Sequence, residues 1–393
     1  MIELETPYYC IDEKKLNHNL FSMKEALNNN FKNWIIGYSF KTNSLPWILN
    51  YIKTNGCFAE VVSYDEYELA AIMGFDKNKI IYNGPMKSKK TFIHALENNC
   101  IVNIDTWREI EWLTELNPER SYKIGIRINF DIEKDCPGES ACGNEGGRFG
   151  FCVENKQFYE AIKSLKLIKN IKVSGIHLHT SSKTRSLEIY KSIARNACKV
   201  IKEFDLDLDY IDVGGGFFGG VPTQPSFFDY FSEIKKIFSD SNISQDITVI
   251  VEPGASLIAS PISFVTSVID VKITNRNIFI TTDGSRNDID PLMSKSTYLY
   301  EIKTFNDKAS TVDKQIISGF TCMEHDRLFE LKDNPLLSVG DRIIYKKVGS
   351  YTMCLSPLFI KYFPSVYLQK VNGDICLIRE KWSANEYVQK GML

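Results

Sequence analysis

From about residue 30 the chain alternates short apolar runs with longer amphipathic stretches. The apolar runs are Trp34–Phe40, Phe58–Val62, Lys79–Tyr82, Ile101–Ile104, Lys123–Ile128, Val173–His177, Tyr210–Val213 and Thr248–Val251. Spacers such as YDEYELAAIMG and YKSIARNACKVIKEF carry helical periodicity. Short apolar strands separated by helices of this length predict a parallel sheet. Eight such units predict a closed (β/α)8 barrel of the TIM type, with an open doubly wound sheet as the alternative that strand counting does not exclude. After about residue 260 the texture changes. SFVTSVIDVKI, NIFITTDGS, KQIISGFTC, DRIIYKKVGSYT and SVYLQKVNGDICLIRE alternate with a period of two, and helical pattern is scarce. This segment reads as an antiparallel β domain, and Asn372-Gly373 as a two-residue hairpin turn within it.

A length of 393 residues suits two domains. Net charge is −2 with both signs well mixed, so no basic face for nucleic acid or an anionic membrane is present. The cluster Lys87-Ser88-Lys89-Lys90 reads as a solvated helix start. The N-terminal segment MIELETPYYCIDEKKL turns charged at once and lacks the apolar core of a signal peptide. No apolar run approaches the ~20 residues of a membrane span, and a cytosolic protein is expected. Ten cysteines are scattered without a C-x-x-C pair or a Cys/His cluster, so neither a zinc site nor disulfides are expected. Most should be small buried apolar residues, with Cys322 the exception.

In a barrel, chemistry sits at the C-terminal ends of the strands. Lys41, Glu60, Asn83, Arg127, His179, Gly214–Gly216 and Glu252 all fall there. Lys41 follows an apolar run, where desolvation makes an amine a usable nucleophile or Schiff-base former; the competing reading is a solvated strand-end lysine. Gly214, Gly215 and Gly216 follow the strand YIDV, where backbone N–H groups can close around a phosphate; a tight turn is the alternative. The run is neither G-x-G-x-x-G nor a P-loop, so a single-phosphate cofactor suits it better than a dinucleotide. Glu252 can hold a pyridine nitrogen protonated, or merely close the barrel. His177 and His179 share one side of an extended strand, suited to stacking on a cofactor ring or to a metal, although no third ligand stands nearby in sequence. A satisfied core histidine is the reading for His177. Arg127 calls for an anion or for a structural acid on a neighbouring strand.

The order of these residues, K-T-N, AEVVSYDEYELA, NGPMKS, RIN…RFG, HLHTSS, DVGGGF, EPG, TTDGSRND, SGFTCMEHD and VGSYT, resembles the fold-type III pyridoxal 5′-phosphate (PLP) decarboxylases, the group of diaminopimelate and ornithine decarboxylases. The resemblance covers nearly the whole chain. It implies that Lys41 carries PLP as a Schiff base, that Glu252 pairs with the pyridine nitrogen and that His179 stacks on the ring. It places Ser182, Gly214, Gly215, Gly216 and Tyr351 at the phosphate, and Glu60 and Arg127 around the cofactor. Cys322 matches the cysteine that a partner subunit inserts to help protonate the carbanion after CO2 leaves. The implied reaction is decarboxylation through an external aldimine and a quinonoid carbanion, in an obligate homodimer with shared active sites. The implied domains are a barrel over 28–260 and a β domain built from 1–27 and 261–393.

Departures from the group's pattern concern phosphate and substrate. The arginine frequent after EPG is Ala255 here. The acid that reads a distal substrate amine is Met323, with Glu324 next and Asp326 beyond; Gly319-Phe320 precedes the cysteine. A methionine cannot pair with an ammonium ion, so a specialised relative is expected, acting on a free, conjugated or carrier-bound amino acid. Arg286, Met323, Glu324 and Asp326 are the candidate substrate residues, Arg286 as a carboxylate or phosphate cation. No metal is expected. The rival functions are a PLP-dependent amino-acid racemase and a non-catalytic PLP-binding protein.

Overall fold

The structure, a computed structural model, describes residues 4–305 and 310–391. Two compact units are present, Asn19–Ser256 and the chain on either side of it. The divisions fall after His18 and Ser256, not at 27/28 and 260/261. The first lies inside the helix Glu13–Asn30, whose amphipathic pattern offers no break to read.

The chain opens with β1 (Tyr8–Asp12), which belongs to the flanking unit. The central unit holds β2 (Trp34–Ser39), β3 (Phe58–Ser63), β4 (Ile80–Met86), β5 (Ile101–Ile104), β6 (Tyr122–Asn129), β7 (Phe151–Cys152), β8 (Ile171–His177), β9 (Tyr210–Asp212) and β10 (Thr248–Val251). All pairings are parallel, in the order β5-β4-β3-β2-β10-β9-β8-β6, and β5 pairs with β6. That last pairing closes the barrel and excludes the open sheet. The short β7 pairs with β6 outside the ring of eight.

The helices form where the pattern asked for them. Leu187–Phe204 buries Ile189, Tyr190, Ile193, Ala194, Ala197, Cys198 and Val200, a spacing of three and four that makes one apolar face. Its start is fixed by Ser186, whose hydroxyl accepts the Ile189 N–H; Ser63, Ser88 and Ser226 cap other helices in the same way. The Tyr210 ring, on β9, is buried against β8 and β6. A Cβ on Gly175 would lie 2.0 Å from that ring and one on Gly125 2.1 Å from its hydroxyl, so only glycine fits at these positions of β8 and β6.

The flanking unit is one sheet: β11 (Ile262–Ile273), β12 (Ile278–Thr282), β13 (Tyr300–Lys303), β14 (Thr311–Ser318), β15 (Arg327–Pro335), β16 (Arg342–Tyr345), β17 (Ser365–Gln369) and β18 (Ile375–Arg379) join β1. The sheet is mixed, because β1 runs parallel to β17 and β12 parallel to β14; the other pairings are antiparallel. An alternating pattern reports burial of one face and says nothing of strand direction. The β17–β18 hairpin does turn at Asn372-Gly373, but with a longer loop than two residues: the Lys370 N–H bonds the Asp374 carbonyl and the Gly373 N–H the Lys370 carbonyl.

Candidate active site

Lys41 sits on a short 3-10 turn directly after β2, and Glu60 lies within the adjacent strand β3. The Lys41 Nζ donates to Glu60 Oε2 at 2.7 Å. The lysine side chain keeps 35 % exposure while that of the acid has 1 %, so the amine stands at the mouth and its counter-ion below it. Asn83 on β4 donates through one nitrogen to Glu60 Oε1 (3.1 Å) and Glu252 Oε1 (2.5 Å). Glu252 follows β10, next to β2 in the barrel. Strand ends far apart in sequence thereby converge on one buried polar cluster.

Two further members of that cluster are His177 and Asp212, the last residues of β8 and β9. Ligand-type atoms of His177, Asp212 and Glu252 lie within 4.8 Å of one another. The sequence offered no third partner for the histidines; the fold supplies two acids from neighbouring strands. His177 Nε2 faces Glu252 Oε2 at 3.4 Å, an electrostatic contact without hydrogen-bond geometry. Burial works against the charge of both acids. It raises Asp212 well above the carboxylate range, assisted by the negative Glu252 beside it. On Glu252 the upward push of burial is outweighed by His177, Lys41 and Asp212, which hold it ionised. Asp212 Oδ1 also accepts the Gly214 N–H at 2.9 Å and fixes the turn that follows.

That turn is the glycine run. Gly214 and Gly216 have φ of +71° and +96°. A Cβ on Gly214 would meet His179 Cβ and Nδ1 at 2.6 Å, and one on Gly215 would lie 2.0 Å from the Glu252 carbonyl oxygen. Backbone and imidazole are in contact with no room for side chains. The Gly215 N–H donates to His179 Nδ1 at 3.2 Å, which leaves the ring proton on Nε2. Protein atoms around the ring and the Arg127 cation lower His179 to about 3, so a neutral ring face is presented at the cleft. Ser182 follows on the same loop; its hydroxyl accepts the Arg185 N–H at 2.7 Å.

Arg127 on β6 donates through Nη1 to Asp105 (3.2 Å) and through Nη2 to the His179 carbonyl (3.2 Å), while its buried Nε has no hydrogen-bond partner. Both readings of this arginine thus coexist: a structural acid from the neighbouring strand, and an unspent donor.

Behind Asp105 stands Lys87, which the sequence places on a solvated helix start. Lys87 is not solvated; it is fully buried, with Nζ on the carbonyls of Gly84 (2.5 Å) and Asn103 (3.0 Å) and on Glu109 (3.3 Å). Glu109 Oε2 accepts the Asp105 N–H at 2.7 Å. Lys89 and Lys90 do sit exposed on the first turn of the helix Lys89–Glu97, capped by Ser88.

In the flanking unit, Cys322 is exposed and Met323 partly buried. Glu324 is solvated and pairs with Arg327 at 3.2 Å. Asp326 is buried and committed within the fold: it accepts from the Ser285 hydroxyl (3.0 Å), the Arg286 N–H (2.9 Å) and the Thr321 hydroxyl (2.6 Å), which organises the loop that carries Cys322. Arg286 is likewise committed, with Nε and Nη2 on Asp290 (3.1 and 3.0 Å) and Nη2 also on the Lys295 carbonyl. Tyr351 is 41 % exposed with φ of +54°.

Residues 14–259 match the family described as pyridoxal-dependent decarboxylase, pyridoxal binding domain. The chain belongs to this family. Along nearly its whole length (98 % of this chain, 79 % of the relative) it is 28 % identical to a probable chloroplastic diaminopimelate decarboxylase of Oryza sativa subsp. japonica. A diaminopimelate decarboxylase of Helicobacter pylori strain J99 is 26 % identical over 88 % of this chain and 86 % of its own. Among solved structures, the diaminopimelate decarboxylase of M. jannaschii superposes with a TM-score of 0.86 at 23 % identity, over 99 % of this chain and 93 % of that one. The arginine decarboxylase of Paramecium bursaria Chlorella virus reaches 0.77 at 19 % identity, over 93 % and 96 %. These likenesses establish the barrel plus sheet architecture.

The residues of this pyridoxal-dependent decarboxylase fit its cofactor. An amine at the cleft mouth, an ionised buried acid, a neutral imidazole face, a backbone cradle that rejects Cβ atoms and an unspent arginine donor occur together at the strand ends of one barrel. Among the described residues no helix is long and apolar enough to cross a membrane.

Proposed function

We propose that this pyridoxal-dependent decarboxylase removes the α-carboxylate of an amino acid, or of an amino-acid conjugate, whose distal end is not a simple ammonium group. The observation that carries the site assignment is the junction of Lys41, Glu60, Asn83 and Glu252 at adjacent strand ends. Lys41 Nζ would hold the cofactor covalently and Glu252 would face its pyridine nitrogen. The His179 ring would lie on the cofactor plane, and Gly214, Gly215, Gly216 and Ser182 would receive the phosphate. Bound there, PLP supplies an electron sink for the bond that breaks at the substrate α-carbon. The chain's own work is orientation and charge. Glu60 accepts from the Lys41 amine and keeps it at the cleft mouth. Arg127, anchored by Asp105, holds the His179 carbonyl and with it the ring.

The substrate reading rests on Met323 standing where an amine-reading acid would be. The proton that replaces CO2 comes, in this reading, from Cys322 of the partner subunit in a homodimer, and its exposure supports that role. The mixed, near-neutral charge and the absence of a membrane-crossing helix among the described residues support a cytosolic setting.

The test is a mass-spectrometric screen of PLP-reconstituted protein in heavy water against L- and D-amino acids and their conjugates. The expected product lacks CO2 and carries solvent deuterium at the reacting carbon. Deuterium in recovered substrate with its carboxylate intact would make the protein a racemase instead. Efficient turnover of diaminopimelate or ornithine would sink the substrate reading. Lys41→Ala should abolish turnover; near-normal activity in that variant would refute the site.

A further inference from the structure

Glu60 lies on β3 and Glu252 directly follows β10, the strands on either side of β2. One side chain touches both. Asn83 Nδ2 donates to the two carboxylates, which spends both of its protons, and its Oδ1 accepts from Asn103 Nδ2 at 2.8 Å. Asn103 Oδ1 in turn accepts from the Tyr210 hydroxyl at 2.7 Å. The chain therefore runs Tyr210 to Asn103 to Asn83 to the two acids, with every donor pointing the same way. The reverse sense would set Asn83 Oδ1 against two carboxylate oxygens with no proton between them. Burial holds the Tyr210 phenol protonated, and so a donor, at every physiological pH. Gly125 and Gly175 give up their side chains to seat its ring.

Donation to a carboxylate favours its ionised form. We propose that Asn83, backed by Asn103 and Tyr210, is a positioning residue that ties the two carboxylates together, holding Glu60 against the Lys41 amine and Glu252, in its ionised form, toward the cofactor's pyridine nitrogen. This rests on the PLP reading above. The charged and titratable groups that face Glu252 are His177, Asp212 and Lys41, with Glu60 reached through Asn83. Of these, Asp212 is pushed toward its protonated form by burial, and Lys41 and His177 remain in both variants below.

The experiment compares PLP-loaded wild type, Asn83→Leu and Tyr210→Phe by pH titration of the visible absorption of the bound cofactor, with its dissociation constant, kcat and KM measured alongside. Asn83→Leu should raise the acid-side midpoint by about one pH unit or more. It should also weaken cofactor binding by roughly tenfold, and lower kcat more than it changes KM. Tyr210→Phe should move the midpoint the same way by less. Midpoints that coincide with wild type in both variants overturn the inference, and so does a fall in kcat with an unmoved midpoint, which would mean loosened packing. If circular dichroism shows Asn83→Leu unfolded, Tyr210→Phe decides alone. A wild type that takes up no cofactor, or whose absorption survives Lys41→Ala, would overturn the PLP reading itself, a separate outcome.

Discussion

Replacing Lys87 by methionine puts a hidden part of the architecture under test. The lysine is fully buried; its ammonium satisfies two backbone carbonyls and the equally buried Glu109. Methionine fills most of the space of the lysine stem, so the packing loss stays below about 1.5 kcal/mol. The charge left behind costs more, because removing one partner of a buried pair costs about 3–5 kcal/mol. A total near 4 kcal/mol is roughly a thousandfold in the local opening equilibrium. Glu109→Gln should cost only about 1–2 kcal/mol. It still accepts the Asp105 N–H, and Lys87, whose pKa burial already lowers, keeps its two carbonyl partners. The double variant should then cost less than the sum, by about 2 kcal/mol. Hydrogen exchange of the β4 and β5 amides across a urea series reads this locally, without requiring the two units to unfold together. Cofactor affinity should fall as well, since Glu109 holds Asp105 and Asp105 holds Arg127. A Lys87→Met protein within 1 kcal/mol of wild type (about fivefold in opening), or strictly additive single effects, would refute the reasoning.

Two other outcomes are expected. Gly215→Ala must push a Cβ against the Glu252 carbonyl, 2.0 Å away, and should weaken cofactor binding by about tenfold or more in equilibrium dialysis; Gly138→Ala, at φ of +79° with open space around it, should leave binding unchanged. Asp288 is pushed up to about 7 by burial, against the pull of the Ser285 N–H and Lys361. An acid raised in the folded state contributes stability that is present in full below about pH 4 and lost as pH rises through about 7. The Tm of wild type minus that of Asp288→Asn should therefore decline between pH 4 and 8; a flat difference would disprove the buried neutral acid.

The sequence by itself determined the eight strand–helix units, the β-rich tail and the ordered motifs, because burial periodicity and turn chemistry are local properties of the chain. It also placed Lys41, Glu60, Arg127, His179, the glycine run and Glu252 at strand ends, from the rule that barrel chemistry gathers there. Closure of the barrel was decided only by the pairing of β5 with β6, a contact between strands whose apolar runs look the same in an open sheet. Strand direction in the flanking unit was equally invisible, since the parallel β1–β17 pairing joins the two ends of the chain. Partners of polar residues were the hardest to read. Lys87 looked like surface charge because its neighbours in sequence are solvated, whereas its counter-ion and carbonyls come from the next strand and helix. Arg286 and Asp326 looked like free recognition groups, whereas the tertiary fold gives each of them hydrogen-bond partners from within. Asp212, Asn103 and Tyr210 passed as ordinary strand residues. Their significance arises from direction and proximity across the barrel, and a one-dimensional pattern records neither.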